Sequence, residues 1–499
     1  MKIAFLFPAF ENLGIEYLSA SLKRAGHQTS LFFDPRLFDD TFFYSATLSK
    51  IFDERKHNLH RLLLWEPDIV AVSVLSDIYQ WALDMARQIK NSTTAKIIFG
   101  GIHPTSVPDI VIQNDNVDFV VQGEGDDAIV DLVQEIERGG DTSKIPNVWS
   151  KQKGEIIGNS PRPLIKNLDT LPFPDKSLYQ STFLNGLRIY TISASRGCPY
   201  RCSYCNVALW KEIYKSEKNS YWRLRSVDNV LDELKLAVKS GAAEHIIFYD
   251  EVFAADIRWL REFAPRYRKE IAKPFIISTH PGQATQEYVA LLKEAGCVKA
   301  DLGVQSPNPY IRKNILHRYE SNEQIESAIK NFMNAGIFLF VENIINLPEQ
   351  TEEHLVEMVK FYNRLRPNSI KVFGLKTFPR TPIERIAFEH GLITEEQIYK
   401  NLHGLTSIDE TGYYGGTIRN KHSFRFQTLF AVMLFLPPRW VDTILDKRLF
   451  RYFPLSPRYG TLINRLLNAQ NWKTDFHKKL YGARYGYYIA KKFKSMFNF

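Results

Sequence analysis

Short apolar runs alternate with amphipathic helical stretches along residues 1–150. The apolar runs include "KIAFLF", "QTSLFF", "DIVAVSVLS", "AKIIFGG" and "VDFVV". The stretches "GIEYLSASLKRAGH", "WALDMARQIKN" and "DDAIVDLVQEIERGG" carry apolar residues at helical spacing. Buried strands that alternate with helices imply a parallel sheet covered on both faces. We therefore expect an α/β fold that begins with a doubly wound parallel sheet.

The same alternation resumes at residue 188 and stops near residue 400. About six strand–helix units in about 210 residues predict a partial or full α/β (TIM-like) barrel. The stretch "NSPRPLIKNLDTLPFPDKSLY" before it is rich in proline and polar residues, as linkers are. The predicted parts are thus a doubly wound domain (1–150), a linker (151–187), a barrel (188–400) and a helical, basic, aromatic C-terminal region (401–499).

Composition and length fit a multidomain cytoplasmic protein. The chain has 499 residues, of which 44% are hydrophobic and 24% charged. The apolar start "MKIAFLFPAF" lacks the basic lead and cleavage site of a signal peptide, and no apolar run reaches about 18 residues. Four cysteines, three of them clustered, do not form a disulfide framework and instead favour a metal or redox site.

The positive charge lies almost entirely at the C-terminal end. Residues 436–499 carry 13 Lys and Arg against 3 Asp, a net charge of +10, whereas the other 435 residues carry a net charge of −1. Nucleic-acid binding by the body of the protein is therefore disfavoured. The tail interleaves basic and aromatic residues, which suits a peripheral membrane surface, a single-stranded nucleic acid or a solvated cap on the barrel.

Glycine-rich turns follow two strands of the first domain. They are Gly100-Gly101-Ile102-His103 and Gly123-Glu124-Gly125. Ligands of such sheets bind at the carboxyl ends of the strands, where glycine lets them approach the backbone and helix N-termini favour anionic groups. The pattern predicts a ligand site at this edge.

Three cysteines lie in one loop directly after the first barrel strand. Cys198, Cys202 and Cys205 form the spacing Cys-x3-Cys-x2-Cys. Three thiolates can hold a four-iron cluster by three irons, and the fourth iron then stays open to another ligand. A zinc site is the alternative, but it needs a nearby histidine, and the closest in sequence is His245. Cys297, between a helix and a strand, is expected to be a small buried hydrophobic residue.

The cysteine loop resembles the signature of radical S-adenosylmethionine (radical SAM) enzymes, in which an aromatic residue, here Tyr204, precedes the third cysteine. The resemblance implies a 4Fe-4S cluster whose open iron is chelated by S-adenosylmethionine. Reductive cleavage of S-adenosylmethionine would then give a 5′-deoxyadenosyl radical, with electrons from an external donor such as flavodoxin or ferredoxin.

Three further segments, "FYDEVF", "AGCVKADLGVQS" and "INLPEQTEE", are similar to barrel motifs of that family. The residues implied to bind S-adenosylmethionine are Tyr204, Asp250, Glu251, Gln305, Ser306, Leu347 and Pro348. Asn346 and Glu349 stand where the family usually has glycines. Helix capping by the two acids, and ordinary strand-end roles for Gln305 and Ser306, are the plain alternatives.

The first domain resembles the cobalamin-binding domain of one branch of this superfamily. The matching residues are Gly14, Tyr17, Ser73, Val74, Gly100, Gly101, His103, Gly123, Glu124 and Gly125. The stretch "PAFENLGIEY" lacks the histidine by which some such domains hold cobalt. His103 is either a ligand or a loop histidine bonded to backbone, and a flavodoxin-like module with another ligand is the alternative for the domain.

The resemblance implies a cobalamin-dependent C-methyltransferase that acts on an unactivated carbon. Similarity to hopanoid methylases and to the anaerobic porphyrin-ester cyclase implies a small apolar substrate, such as a lipid or tetrapyrrole. A cyclase or oxidase without methyl transfer is the first alternative, and a non-catalytic corrinoid- or metal-binding module that docks on membranes is the second. A tRNA methylthiotransferase is disfavoured, and no side chain is singled out as a catalytic base or hydrogen donor.

Overall fold

The computed structural model describes residues 1–40, 44–215, 221–406, 416–418, 420–453 and 476–497. It contains two large sheets, and each sheet has a hydrophobic core of its own. Both predicted α/β domains are therefore present.

The N-terminal sheet has seven strands in the order β2-β1-β3-β4-β5-β6-β7. Strands β1 to β5 are parallel, and β6 and β7 add an antiparallel edge. The strands are β1 Lys2–Pro8, β2 Gln28–Asp34, β3 Ile69–Ser73, β4 Lys96–Gly100, β5 Phe119–Val121, β6 Val148–Gln152 and β7 Glu155–Gly158. The sheet thus continues to Gly158, so the loop predicted for 151–187 begins later than expected; "VWSKQKGEII" forms a hairpin around Gly154.

In the described part of this domain, seven helices surround the sheet: α1 Leu13–Arg24, α2 Ala46–Ile51, α3 Arg55–Trp65, α4 Tyr79–Lys90, α5 Ile102–Ser106, α6 Pro108–Val111 and α7 Asp126–Arg138. The Asn12 side chain accepts a hydrogen bond from the Ile15 amide at 3.1 Å and caps α1. Because α1, α5 and α7 each begin just after a strand, their N-termini all lie at the carboxyl edge of the sheet.

The second sheet has six parallel strands in the order β15-β14-β13-β12-β11-β8. The strands are β8 Ile189–Ile192, β11 His245–Phe248, β12 Phe275–Thr279, β13 Cys297–Gln305, β14 Phe338–Ile345 and β15 Ser369–Gly374, with a short ribbon of β9 Ser195–Arg196 and β10 Arg223–Leu224. The helices are α8 Asn206–Ile213, α9 Val227–Lys239, α10 Ile257–Glu270, α11 Gln286–Ala295, α12 Asn322–Asn334, α13 Glu352–Leu365, α14 Pro382–Glu389 and α15 Glu395–Leu402. The sheet is an open, partial barrel.

The C-terminal region is helical, as predicted. Its helices are α16 Lys421–Val432, α17 Pro438–Asp446 and α18 Phe476–Phe497. Helices α16 and α17 add apolar side chains to the barrel core. Short helical turns elsewhere are Ser76–Ile78, Thr142–Lys144, Leu168–Thr170, Lys176–Tyr179, Ile311–Ile315, Met433–Phe435 and Leu449–Tyr452.

Helix α18 connects the two domains. Phe476 packs against Ile247 and Ile276 inside the barrel. About two helical turns further along α18, the buried Arg484 side chain bonds to the Asp40 carboxylate. It also donates to the Ala9 carbonyl at 2.8 Å. Tyr488 belongs to the N-terminal core. This part of the basic tail is therefore packed on the body, whereas residues 454–475 lie outside the described residues. Across the described ranges, every helix is too short or too polar to span a bilayer.

Candidate active site

The cysteine loop lies at the carboxyl edge of the barrel sheet and is fixed to neighbouring segments. The Lys211 ammonium on α8 donates to the Pro199 and Tyr200 carbonyls at 3.0 and 2.8 Å. The Ser203 amide donates to the Leu316 carbonyl at 3.0 Å, and its hydroxyl donates to the Ile315 carbonyl at 2.6 Å. These bonds hold the loop backbone between α8 and the turn after β13.

The three loop thiols are free and share one environment. Cys202 is buried, and Cys198 and Cys205 are half-buried. Burial raises the pKa of Cys198 and of Cys205 to about 12, and the Glu251 carboxylate adds to both shifts. Without a metal these thiols are therefore protonated at neutral pH, so binding a metal releases protons.

The thiols fit an iron–sulfur cluster better than zinc. Within the described ranges, no three His, Cys, Asp or Glu side chains converge on one point where a single ion could sit. A zinc ion needs such convergence, with Zn–S bonds of about 2.3 Å. A four-iron cluster does not, because each thiolate binds a different iron. His245 begins β11 at the opposite end of the barrel, with its ring 4.5 Å from that of Phe476.

Arg318 is a site residue that sequence reasoning missed. Its guanidinium approaches the Cys202 sulfur at 3.7 Å and donates to the Tyr204 hydroxyl at 3.2 Å and the Gly303 carbonyl at 2.6 Å. Glu320 pairs with it at 2.7 Å. Arg318 thus ties the cysteine loop to β13, and its charge lies beside one sulfur, a position that tunes a bound cluster.

His280 packs on the same loop and was also missed. Its ring stacks on Tyr200 with 3.7 Å between ring centroids, and its Nδ1 accepts from the Gly282 amide at 3.0 Å. Burial lowers the pKa of His280 to about 2, so the ring is neutral. No sequence motif surrounds Arg318 or His280, and only the fold brings them to the loop.

Asp250 and Glu251 follow β11 and point to different surroundings. The buried Asp250 carboxylate accepts from the Ala194 amide at 3.1 Å and from the Ser195 hydroxyl. Burial raises the pKa of Asp250 to about 6. Glu251 reaches solvent at the edge of the site, yet the surrounding protein also raises the pKa of its carboxyl. Asp250 therefore fixes the strand before the cysteines, and Glu251 faces the thiols.

The other residues implied to bind S-adenosylmethionine end β13 and β14. Gln305 and Ser306 are buried there, and Leu347 packs in one apolar cluster with Tyr204. Pro348 follows Leu347 and is buried as well. No ligand contact tests these seven residues, which stay predictions.

Asn346 and Glu349 take the backbone conformation that glycine favours. Their φ angles are +63° and +59°. The Asn346 amide donates to the Ile418 carbonyl at 2.9 Å, and asparagine tolerates this region well. The turn therefore keeps its left-handed geometry without glycine.

A cavity of about 340 Å³ lies at the carboxyl edge of the N-terminal sheet. Eight of the ten residues implied to bind cobalamin line it: Gly14, Tyr17, Ser73, Gly100, Gly101, Gly123, Glu124 and Gly125. Its far wall comes from the barrel domain and includes Ser193, Ser195, Arg196, Arg225 and Tyr249. The glycines leave the strand ends bare and most of the lining is apolar, which fits the face of a large planar group such as a corrin.

Val74 and His103 do not line this cavity. The Val74 amide and carbonyl bond to the Gly100 carbonyl and the His103 amide, at 2.7 and 3.0 Å. The buried His103 ring lies 3.0 Å from the Ser76 hydroxyl and packs on Tyr79. Burial lowers the pKa of His103 to about 4. The cavity lining contains no histidine among the described residues, in line with the missing motif in "PAFENLGIEY".

Glu124 joins the two domains. Its carboxylate pairs with Arg223 at 2.7 Å and accepts from the Ile165 amide at 3.1 Å. The Tyr214 hydroxyl accepts from the Glu124 amide at 3.0 Å and lies where a Cβ on Gly123 would be. Asp126 pairs with Arg196 at 2.7 Å. The glycine turn therefore binds the barrel domain as well as bordering the cavity.

Two family models match the chain over the two sites just described. The radical SAM superfamily matches residues 192–362, and the B12 binding domain matches residues 8–133. The chain therefore belongs to the radical SAM enzymes that carry a B12-binding domain. Its cofactors are a 4Fe-4S cluster, S-adenosylmethionine and cobalamin.

Relatives and solved structures agree with this assignment. An uncharacterised methyltransferase of Pyrococcus horikoshii is 25% identical over 82% of this chain and 87% of its own. The hopanoid C-3 methylase of Methylococcus capsulatus is 25% identical, covering 75% and 68%, and the anaerobic magnesium-protoporphyrin IX monomethyl ester cyclase of Rubrivivax gelatinosus is 23% identical, covering 74% and 66%.

The fold is also that of two solved enzymes. The radical S-adenosylmethionine methyltransferase TsrM of Kitasatospora setae, with tryptophan and a SAM analogue bound, has a TM-score of 0.62, 19% identity and coverage of 78% and 76%. The cobalamin-dependent radical enzyme OxsB, with aqua-cobalamin and S-adenosylmethionine bound, has a TM-score of 0.65, 14% identity and coverage of 99% and 80%.

Proposed function

We propose that this enzyme transfers a methyl group to an unactivated carbon of a small molecule. One observation carries the proposal. Ser193, Ser195 and Arg196 line the glycine-edged cavity, and Cys198 follows two residues later. The site for cobalamin and the site for the cluster are therefore neighbours on one continuous stretch of chain. When bound, the cluster and S-adenosylmethionine would supply a radical that removes hydrogen, and cobalamin would supply the methyl group.

The chain's own residues position these groups and exclude water. Cys198, Cys202 and Cys205 would hold the cluster, and Arg318 holds the loop against β13. The apolar part of the cavity lining would help to exclude water once the cofactor is bound. Since no histidine lines the cavity in the described part of the chain, we propose that the lower face of cobalamin is not held by a histidine there.

The substrate proposal is a small molecule with an apolar reacting carbon. The hopanoid methylase acts, by its name, on an apolar lipid, whereas TsrM holds tryptophan. The relatives therefore span apolar and charged substrates. An external one-electron donor such as flavodoxin or ferredoxin is the proposed reductant. Membrane contact through the C-terminal region would have to use side chains other than Arg484 and Tyr488 of α18, because these two are buried inside the protein.

A ring closure or oxidation without methyl transfer is the second candidate, favoured by the cyclase relative. One experiment separates the two. The protein is reconstituted without oxygen with iron, sulfide and cobalamin, and is incubated with methyl-labelled S-adenosylmethionine, reductant and cell extract as the substrate source. Label in a small-molecule product other than methionine supports methyl transfer, because cleavage of S-adenosylmethionine to 5′-deoxyadenosine by itself leaves the labelled methyl group on methionine. Formation of 5′-deoxyadenosine with an unlabelled product supports the second candidate.

A further inference from the structure

The cavity at the carboxyl edge of the N-terminal sheet has two unlike walls. Glycines at the strand ends leave the backbone of one wall bare. The barrel domain contributes five described residues to the other wall: Ser193, Ser195, Arg196, Arg225 and Tyr249. A flat cofactor that lies against the bare backbone would therefore turn its other face to these five side chains.

Four of the five wall side chains already bond inside the protein. The Ser193 hydroxyl donates to the Ser195 carbonyl at 2.6 Å, and the Ser195 hydroxyl donates to the Asp250 carboxylate. The Arg196 and Arg225 guanidinium groups each pair with a buried carboxylate at 2.7 Å. These four side chains therefore hold the barrel wall together.

Tyr249 differs from the other four. It is 53% exposed, although it lies between the two domains and lines the cavity. Among the described residues its hydroxyl makes no hydrogen bond, and its ring meets the His477 ring edge-on, with 5.9 Å between centroids. A large aromatic ring that adds little to the core and leaves a hydroxyl unused is available to a bound molecule.

The backbone holds Tyr249 firmly in this wall. The Tyr249 amide donates to the Ile192 carbonyl at 2.8 Å, and the carboxylate of the next residue, Asp250, accepts from the Ala194 amide at 3.1 Å. Ile192 and Ala194 belong to the stretch that runs on to Cys198. Tyr249 therefore stands beside the segment that joins the cavity to the cysteine loop.

We propose that Tyr249 covers the face of bound cobalamin that is turned towards the barrel, and that the methyl acceptor reaches the cofactor past this ring. The inference rests on the proposed function, in which the acceptor lies between the two cofactor sites. The phenol would offer the acceptor a flat apolar surface and one hydroxyl that can donate or accept a hydrogen bond. Tyr249 would thus help to decide which molecules fit over the cofactor.

Ligand exchange at the cobalt of the bound cofactor tests the proposal. The reconstituted protein is loaded with hydroxocobalamin, freed of unbound cofactor and mixed with cyanide, and the change in absorbance gives the rate at which cyanide reaches the cobalt. We expect Tyr249→Ala to raise this rate about tenfold or more, because the covering ring is gone, and Tyr249→Phe to stay within about twofold of the unaltered protein. Tyr399→Ala is the matched control, since Tyr399 is 55% exposed and lies outside the cavity lining, and it should not change the rate.

Equal exchange rates in Tyr249→Ala and in the unaltered protein would overturn the proposal. Equal acceleration in Tyr249→Ala and Tyr249→Phe would overturn it too, because phenylalanine keeps the ring. If Tyr249→Ala does not retain cobalamin, Tyr249→Trp takes its place: the larger ring should slow the exchange, and an unchanged rate refutes the covering role.

The measurement needs neither S-adenosylmethionine nor turnover. A chain that shows the expected exchange rates but puts no label into a product other than methionine would refute the proposed function alone. A chain that transfers the label but exchanges cyanide equally fast in all Tyr249 variants would refute this inference alone.

Discussion

The carboxyl edges of the two sheets follow the same topological rule but are built from different parts of the chain. At the N-terminal edge, glycines remove side chains and leave an apolar cavity of about 340 Å³. At the barrel edge, the site is formed by side chains. The loop carries three thiols, and Arg318 and two acidic residues lie beside it. A large preformed group needs room and bare backbone, whereas a cluster assembled in place needs ligands. The glycine-lined edge therefore suits cobalamin, and the cysteine-lined edge suits a 4Fe-4S cluster.

Removing one of the three loop thiols should abolish cluster binding at the barrel edge. Cys202→Ala leaves two ligands for the cluster, so we expect loss of bound iron, of the brown colour and of 5′-deoxyadenosine formation. Iron analysis and a cleavage assay on oxygen-protected protein measure this. Cys297→Ala is the matched control, because Cys297 is buried in the barrel core, and it should retain iron. A brown, active Cys202→Ala protein would refute the cluster assignment.

Arg318→Met should destabilise the same edge strongly. It leaves the buried Glu320 carboxylate without its 2.7 Å partner, which costs about 3–5 kcal/mol in such pairs. Chemical denaturation measures the free energy of unfolding. Arg261→Met breaks a solvent-exposed pair with Glu287 and should change the free energy of unfolding far less, because water screens such pairs. Similar losses for both variants would contradict the role given to Arg318.

Lowering the pH should destabilise the fold at the edge of the N-terminal sheet, because His103 is buried there in its neutral form. The pKa of His103 is about 4 in the folded chain, below its ordinary 6.5. Between pH 6.5 and pH 4 the histidine is therefore protonated in the unfolded chain but neutral in the folded chain. Stability contributed by the neutral ring is complete above pH 6.5 and is lost as the pH falls towards 4, by about 3 kcal/mol. Denaturation midpoints between pH 7 and 4 measure it. His103→Gln should flatten this slope, and an unchanged slope would contradict the assignment.

Adding one methyl group at Gly101 should impair the glycine-lined edge of the N-terminal sheet and leave the barrel edge intact. Gly101 has φ +95°, and a Cβ there would lie 2.9 Å from the Ser73 hydroxyl and the Val74 amide. We expect Gly101→Ala to cost about 1–3 kcal/mol and to weaken cobalamin binding without loss of iron. Gly26→Ala, with φ +90° and open space, carries the backbone strain alone and should bind cobalamin normally. Equal cobalamin affinity in both variants would argue against this edge as the cofactor site.

Patterns that are local in sequence predicted the fold well, whereas the cofactor contacts of the motif residues stay predictions. The cysteine loop, the glycine turns and the strand–helix alternation each lie within a few residues of chain, and eight of the ten cobalamin-motif residues line one cavity. Helices α2 and α3 and the hairpin to Gly158 were not predicted, since "ATLSKI" and "RKHNLHRLLLW" carry weak periodicity and the hairpin is short and largely polar.

Contacts between distant segments could not be predicted. Arg318 reaches Cys202 from 116 residues away, and Arg484 reaches Asp40 from 444 residues away. The residues on the inner face of the barrel follow the ordinary alternation of strand positions. The sequence therefore gave no sign that Lys299 and Lys371 both lie over the ring of Phe340. Asn346 and Glu349 stand where the family usually has glycines, and both take the positive φ angles that glycine favours.

Helix α18 also imposes an order on biosynthesis. Its contacts reach back to Ala9 and Asp40 near the start of the chain and to Ile247 in the barrel. The ribosome has therefore released both sheets before the segment that fastens them is made. A nascent chain halted before residue 476 would lack the α18 contacts with Asp40 and Ile247, and only pairs such as Glu124–Arg223 and Asp126–Arg196 would join its two domains.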